Sequence, residues 1–149
     1  MEESKIKIKA VCLLIHNQKV LVMDADSLTS PGSRVVPGHF YRVLGGTMNF
    51  QETAEQCVRR EIREEINSEI ENLERLDVVE NSFTYAGKDE HEILFVFKGT
   101  LSRKELVEQD TIHVVDSDYE FNAVWVPINE LLNGKKPLYP SLDYSRFIS

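Results

Sequence analysis

The sequence predicts an α+β or α/β sandwich. Strand-like segments outnumber helical ones, two helix-like segments are interleaved among them, and neither an internal repeat nor a linker-like stretch divides the chain. At 149 residues the expectation is one domain spanning 1–149. A domain of that size buries roughly 70% of the surface its unfolded chain exposes, so a real core is available.

Lys5 to His16 opens with Lys-Ile-Lys-Ile-Lys alternation and becomes continuously apolar, the pattern of a strand that runs from a sheet edge into the interior. Asn17-Gln18 makes a short turn and Lys19 to Met23 returns as the second strand of a hairpin. Asp24 to Phe40, with Pro31, Gly32, Pro37 and Gly38, has loop chemistry and is long enough to suggest a functional role. Tyr41 to Leu44 reads as a short strand ending at Gly45-Gly46, with Thr47 to Glu52 as a loop. Thr53 and Gln56 fit a capping box, so a helix should start near Ala54. It should stop near Asn67, because asparagine accepts the left-handed conformation that closes many helices. Leu73 to Tyr85 and Glu92 to Leu101 read as strands joined by an Ala86–Asp89 hairpin loop. Glu120 to Val126 is a further strand, and Pro127 to Leu132 a short helix with Gly134 just past its end.

Composition excludes several classes. With 42% hydrophobic and 28% charged residues the chain is globular rather than disordered. The apolar run Ala10 to Ile15 is far short of the ~20 residues that cross a bilayer, and Met1 to Lys9 lacks the apolar core of a signal peptide, so a cytoplasmic protein without membrane contact is expected. Cys12 and Cys57 form no CxxC pair and read as reduced core thiols. A net charge of -8 argues against nucleic acid as the main partner. Handling phosphates with such a charge calls for a metal.

The first helix carries the strongest functional signal. At about 100° per residue, Ala54, Cys57, Val58, Ile62 and Ile66 share one buried arc. Gln56, Arg59, Arg60 and Arg63 gather on the wet side. Glu61 and Glu65 enter the apolar stripe and Glu64 borders it. An unpaired buried carboxylate costs several kcal/mol, so three of them on one turn need compensation. Surface ion pairs such as Arg60 with Glu64 would supply it for a slightly rotated helix. Otherwise a hard divalent ion such as Mg²⁺, with Mn²⁺ as substitute, would sit among the oxygens.

From Gly46 the chain reads G-x5-E-x7-R-E-U-x-E-E, with Glu52, Arg60, Glu61, Ile62, Glu64 and Glu65 in register. This resembles the signature of the Nudix hydrolases. The pattern normally closes with glycine and an aliphatic residue, where this chain has Asn67 and Ser68. The resemblance implies an α/β/α sandwich with a mixed central sheet, a signature helix and a short C-terminal helix. It implies hydrolysis of a nucleoside diphosphate derivative, whether a triphosphate, a nucleotide sugar or a dinucleoside polyphosphate, by metal-activated water attack on phosphorus. A nucleotide-sensing module of the same fold is the alternative. Glu61, Glu64 and Glu65 become the expected metal ligands and catalytic residues, with the Gly45 or Gly46 carbonyl as a further ligand and Glu52 and Arg60 paired behind them. Glu64 is a candidate general base, as are Glu108, Asp118 and Glu120. Arg34, His39, Tyr41 and Arg42 flank the long loop and are candidates for contact with phosphate or base. Tyr85, 17 residues past Ser68, resembles a tyrosine of dinucleoside-polyphosphate-cleaving members. His91 and Glu92 could reach the cleft from the next strand. Relatives that pair as dimers make a homodimer a possible assembly.

Overall fold

The computed structural model describes residues 4–29, 38–85, 87–116 and 119–149. Strands β1 (Ile6–His16), β2 (Lys19–Thr29), β3 (Tyr41–Thr47), β4 (Ile70–Tyr85), β5 (Lys88–Leu101), β6 (Thr111–Val115) and β7 (Glu120–Pro127) lie in the order β4-β5-β1-β3-β2-β7-β6, with the short β8 (Leu138–Tyr139) beside β3. The β1–β5 and β3–β8 pairings are parallel and the others antiparallel, so the sheet is mixed. Helix α1 (Ala54–Ile66) covers one face, and α2 (Ile128–Asn133) with the turn Tyr144–Arg146 packs on the other. The predicted α/β/α sandwich is what the chain adopts.

The apolar run of β1 is explained by this layering. Ala10, Cys12 and Leu14 pack with Cys57, Val58 and Ile62 of α1, whereas Val11 and Leu13 pack with Ile128, Leu131 and Ile148 on the far side. With both faces covered, the strand reads as unbroken hydrophobicity.

The register of β3 decides where the site lies. Its first half pairs with β2, Tyr41 with Asp24 through Val43 with Val22, and its second half pairs with β1, Leu44 with Cys12 through Thr47 with Lys9. Next to the turn, β1 and β2 pair with each other from Leu14–Leu21 to His16–Lys19. The hairpin therefore splays beyond Leu14, and β3 bends between Val43 and Leu44 to nest inside the V. Gly45 stands where the bend meets β1: its φ is 150°, and a Cβ there would collide with the Ala10 carbonyl and the Val11 backbone.

Several boundaries differ from expectation. β2 continues to Thr29 rather than stopping at Met23, because β7 pairs along it to Asp24–Asn122 and again at Thr29–Glu120 across a bulge. Part of the expected 24–40 loop is thus strand, and residues 30–37 lie outside the described residues. β3 extends through Gly45-Gly46 to Thr47 because β1 supplies the partner. Lys88 and Asp89 belong to β5, paired with Tyr85 and Thr84, rather than to the hairpin loop. Strand β6 was not foreseen; its alternation of exposed and buried residues is only five residues long. Pro127 caps α2 from outside instead of occupying its first turn.

Helix α1 begins and ends as its caps dictate. Thr53 Oγ1 accepts from Gln56 N at 3.1 Å and Gln56 Oε1 accepts from Thr53 N at 2.9 Å. Asn67 adopts φ 52° and ψ 46°. Ser68, where the signature has an aliphatic residue, is buried and satisfied: its hydroxyl donates to the Glu69 carbonyl at 3.0 Å and accepts from Arg103 N at 3.3 Å. This ties the helix end to the chain leaving β5. Asn67→Gly should leave the unfolding free energy within about 0.5 kcal/mol of the parent, and Asn67→Ala should lower it by about 1 kcal/mol, as read by chemical denaturation.

Candidate active site

The Gly45-Gly46 end of β3 lies against α1, and the space above it opens into a cleft of about 920 Å³. Among the residues lining it are Gly45, Gly46, Glu61, Glu64, Glu65 and Arg42, together with Tyr85. Residues far apart in sequence are thereby brought together. Gly46 is required for close approach, since a Cβ there would overlap the Glu61 carboxylate. Its carbonyl accepts from Cys57 Sγ at 3.6 Å.

Arg60 is the hub of the helix-facing side. It grips Glu52 with two donors, Nε to Oε2 at 2.6 Å and Nη2 to Oε1 at 3.0 Å, and Nη2 also reaches the Thr47 carbonyl at 3.2 Å. Its Nη1 donates to Glu61 Oε1 at 2.9 Å and Glu64 Oε2 at 3.3 Å. Sequence spacing had put Arg60 on the wet side; it is half-buried because these acceptors draw it over the loop. Glu52 also accepts from Asn49 N at 3.0 Å, so the loop entering α1 is fastened at two points. The Arg60 hydrogen bonds hold the Glu52 carboxyl down at about 2.

The remaining carboxylates behave differently. Burial pushes Glu61 above the ordinary carboxylate range, with Glu64 and Asp116 adding to the effect and Arg60 opposing it. Glu65 is pushed well above, first by burial and then by Glu61 and Asp116, with Arg42 acting the other way. No hydrogen bond from a described residue reaches the Glu65 carboxylate. Glu64 is the exposed member, its side chain 57% accessible. Among the described residues no three His, Cys, Asp or Glu side chains converge on one point as a ready metal cage, and Arg60 Nη1 bridges Glu61 and Glu64. The donors are nonetheless hard oxygens in an acidic cluster short of positive charge, and that chemistry suits a divalent cation.

Asp116 is the acid that sequence reasoning missed. It follows β6, the strand that was not foreseen, and it acts electrostatically on Glu61, Glu65 and the half-buried Tyr119, whose phenol is pushed up by burial and by Glu65. Glu108 and Glu120 do not line the cleft; Glu120 pairs with His113 at 3.2 Å on the sheet edge. Asp118 and Arg34 lie outside the described residues. His39 pairs with Asp26 at 2.9 Å, and Tyr41 lies under Lys136, so Phe40 and Arg42 are the cleft residues of that segment. His91 is likewise absent from the cleft lining, and its neighbours Glu90 and Glu92 are present. Tyr85 meets Phe40 edge to face at 6.4 Å.

The sequence model of the NUDIX domain matches residues 6–144. The NAD-capped RNA hydrolase NudC of Pseudomonas aeruginosa is 46% identical over 56 residues, 37% of this chain and 20% of that protein. The match thus spans about a fifth of the curated relative's length. Among solved structures, the MutT NUDIX hydrolase from Burkholderia pseudomallei superposes with a TM-score of 0.67 at 20% identity, over 92% of each chain. The MutT protein from Bacillus halodurans gives 0.64 at 20% identity, over 95% of this chain and 80% of that one. The NUDIX domain of Shewanella oneidensis NrtR, in complex with ADP ribose, gives 0.58 at 20% identity, over 93% and 80%. At such identities the likeness is one of fold.

Because the Glu52 carboxyl is held low by Arg60, it stabilises the folded state above the ordinary carboxylate range and loses that contribution as pH falls toward about 2. Glu52→Gln should therefore lower the denaturation midpoint at pH 7, and the gap to the parent should narrow steadily as the medium is acidified below about pH 4.

Proposed function

The chain belongs to the Nudix family of pyrophosphohydrolases, and on that premise we propose that it is a Mg²⁺-dependent hydrolase of the diphosphate bond in nucleoside diphosphate derivatives. The carrying observation is the Glu65 carboxylate, which accepts no hydrogen bond from a described residue and is crowded with Glu61 and Asp116 in the cleft at the glycine bend of β3. Crowding of that kind is relieved by a cation. Glu61, Glu64 and Glu65, with the Gly45 carbonyl, would hold Mg²⁺ or Mn²⁺, which when bound neutralises phosphate charge and acidifies water.

The other roles follow from this chain's own residues. Arg42 lines the cleft beside Glu65 and donates to phosphate oxygens that approach the site. Phe40 and Tyr85 offer aromatic faces to a base. Glu64, the exposed carboxylate, takes the proton of the attacking water as its oxygen bonds to phosphorus and the anhydride P–O bond breaks. The Glu52–Arg60 pair keeps Glu61 and Glu64 oriented while this happens.

The opposing reading is a nucleotide-sensing module; the NrtR domain, of similar fold, was solved with ADP ribose bound. It binds without turnover. A screen of triphosphates, nucleotide sugars, dinucleoside polyphosphates and coenzymes with Mg²⁺ should release phosphate-bearing products from at least one class. Glu64→Gln and Glu65→Gln should each cut that rate by at least about a hundredfold while circular dichroism stays that of the parent. Full activity in both variants removes the mechanism, and binding with no product at all assigns the sensor.

A further inference from the structure

Part of the cleft is built by β4, β5 and β1, and its chemistry differs from that of the carboxylate end. Asn81, Glu92 and Lys7 stand in register across the three strands, and Phe83 faces Glu90 one step along. Glu92 lines the cleft yet is only 3% exposed. Lys9 Nζ lies 2.7 Å from Glu92 Oε2, and Lys7 Nζ lies 3.1 Å from Glu90 Oε2. Two ion pairs, one of them nearly buried, thus form part of a wall that a ligand must touch. Arg42 joins the two regions, since its charge acts on both Glu65 and Lys9.

Charge limits what can lie there. Among the described residues, the cleft is lined by six carboxylates (Glu61, Glu64, Glu65, Glu90, Glu92 and Asp116) against the four cations Lys7, Lys9, Arg42 and Lys88. Lys7 and Lys9 are already paired. A divalent ion at α1 would offset the acids at that end only; the Lys9–Glu92 and Lys7–Glu90 pairs are each neutral in themselves, with Arg42 standing toward Glu65 and Lys88 at the β4–β5 hairpin beyond them. An additional phosphate seated on this wall would be desolvated next to Glu90 and Glu92, where like charge disfavours it. Hydroxyl groups suit it instead: each carboxylate accepts from one, each ammonium donates to one, and the Asn81 amide does both. Phe83 and the Phe40–Tyr139 pair, at 5.2 Å between ring centroids, supply apolar faces beside these polar groups.

We propose that the Asn81–Glu92–Lys9 wall is a subsite for the group carried on the second phosphate, and that it takes an uncharged polyhydroxyl group, making a nucleoside diphosphate sugar the preferred ligand over a nucleoside triphosphate. The inference deepens the function proposed above and rests on it for where the diphosphate sits. A site whose buried polar groups are arranged for hydroxyls discriminates strongly against ligands that leave them unpaired.

The test is calorimetric titration of the whole protein, in Mg²⁺, with α,β-methylene analogues of a nucleoside diphosphate hexose and of the triphosphate of the same base. A set of bases is run so that base preference is averaged out. The sugar analogue should bind at least tenfold more tightly than the triphosphate for the preferred base. Glu92→Gln should weaken the sugar at least tenfold more than it weakens the triphosphate. Should Glu92→Gln fold poorly, the double variant Lys9→Met/Glu92→Gln removes both charges and should show the same selective loss. Tighter binding of the triphosphate by the parent, or equal losses for both ligands in the variants, overturns the subsite. Because binding is read without turnover, a catalytically silent protein refutes the hydrolase and leaves this result standing or falling by itself.

Discussion

Three carboxylates on one helical turn, held at the mouth of a core, repel one another and resist desolvation, and a cation must be shared among them. In this protein one guanidinium carries much of that burden. Arg60 reaches Glu52, Glu61, Glu64 and the Thr47 carbonyl at once, so the end of β3, the loop after it and the second and third turns of α1 are fastened through a single side chain. The fork geometry of arginine makes this feasible where lysine, a point charge, would serve fewer acceptors. Glu65 lies beyond its reach, and the electrostatic strain collects there.

The backbone prepares the same place by a different route. A hairpin that splays, with a third strand bent into its opening, leaves the inner strand with different partners along its two halves. The glycines at the bend allow two close approaches that any side chain would block, one to β1 and one to Glu61. Cleft and carboxylates therefore meet at these two residues. Caps at each end of α1 set its extent, and packing of Cys57, Val58, Ile62 and Ile66 in the core sets its rotation, which brings Glu61 and Glu65 into the cleft lining.

Opposite chemical demands meet within one cavity. Toward α1 the lining is acidic and short of positive charge; along β1 and β5 the acids are already matched to lysines; and aromatic rings from three separate segments gather beside them. A ligand that is anionic at one end, hydroxylated at another and aromatic at a third fits such a gradient better than one that is anionic throughout. Electrostatic complementarity of this type governs selection more than total affinity.

Local chemistry decided a good deal without any tertiary information. The capping box, the left-handed stop at Asn67, the buried arc of α1 and the two-sided burial of β1 are all set by residues close in sequence, and so they could be read directly. The acidic turn and its family signature were legible for the same reason: i, i+3 and i+4 positions are neighbours on any helix. Long-range pairing decided the rest. Whether β2 stops at Met23 or runs to Thr29 depends on β7, nearly a hundred residues away in sequence. Asp116 is one acid among many until the short β6 carries it beside Glu65, and Glu92, a cleft candidate from its place at a strand start, meets Lys9 only because the parallel register of β1 and β5 joins them. A strand's local pattern says which face is apolar, but its neighbour is chosen by the free energy of the whole sheet, and the cleft is made by neighbours.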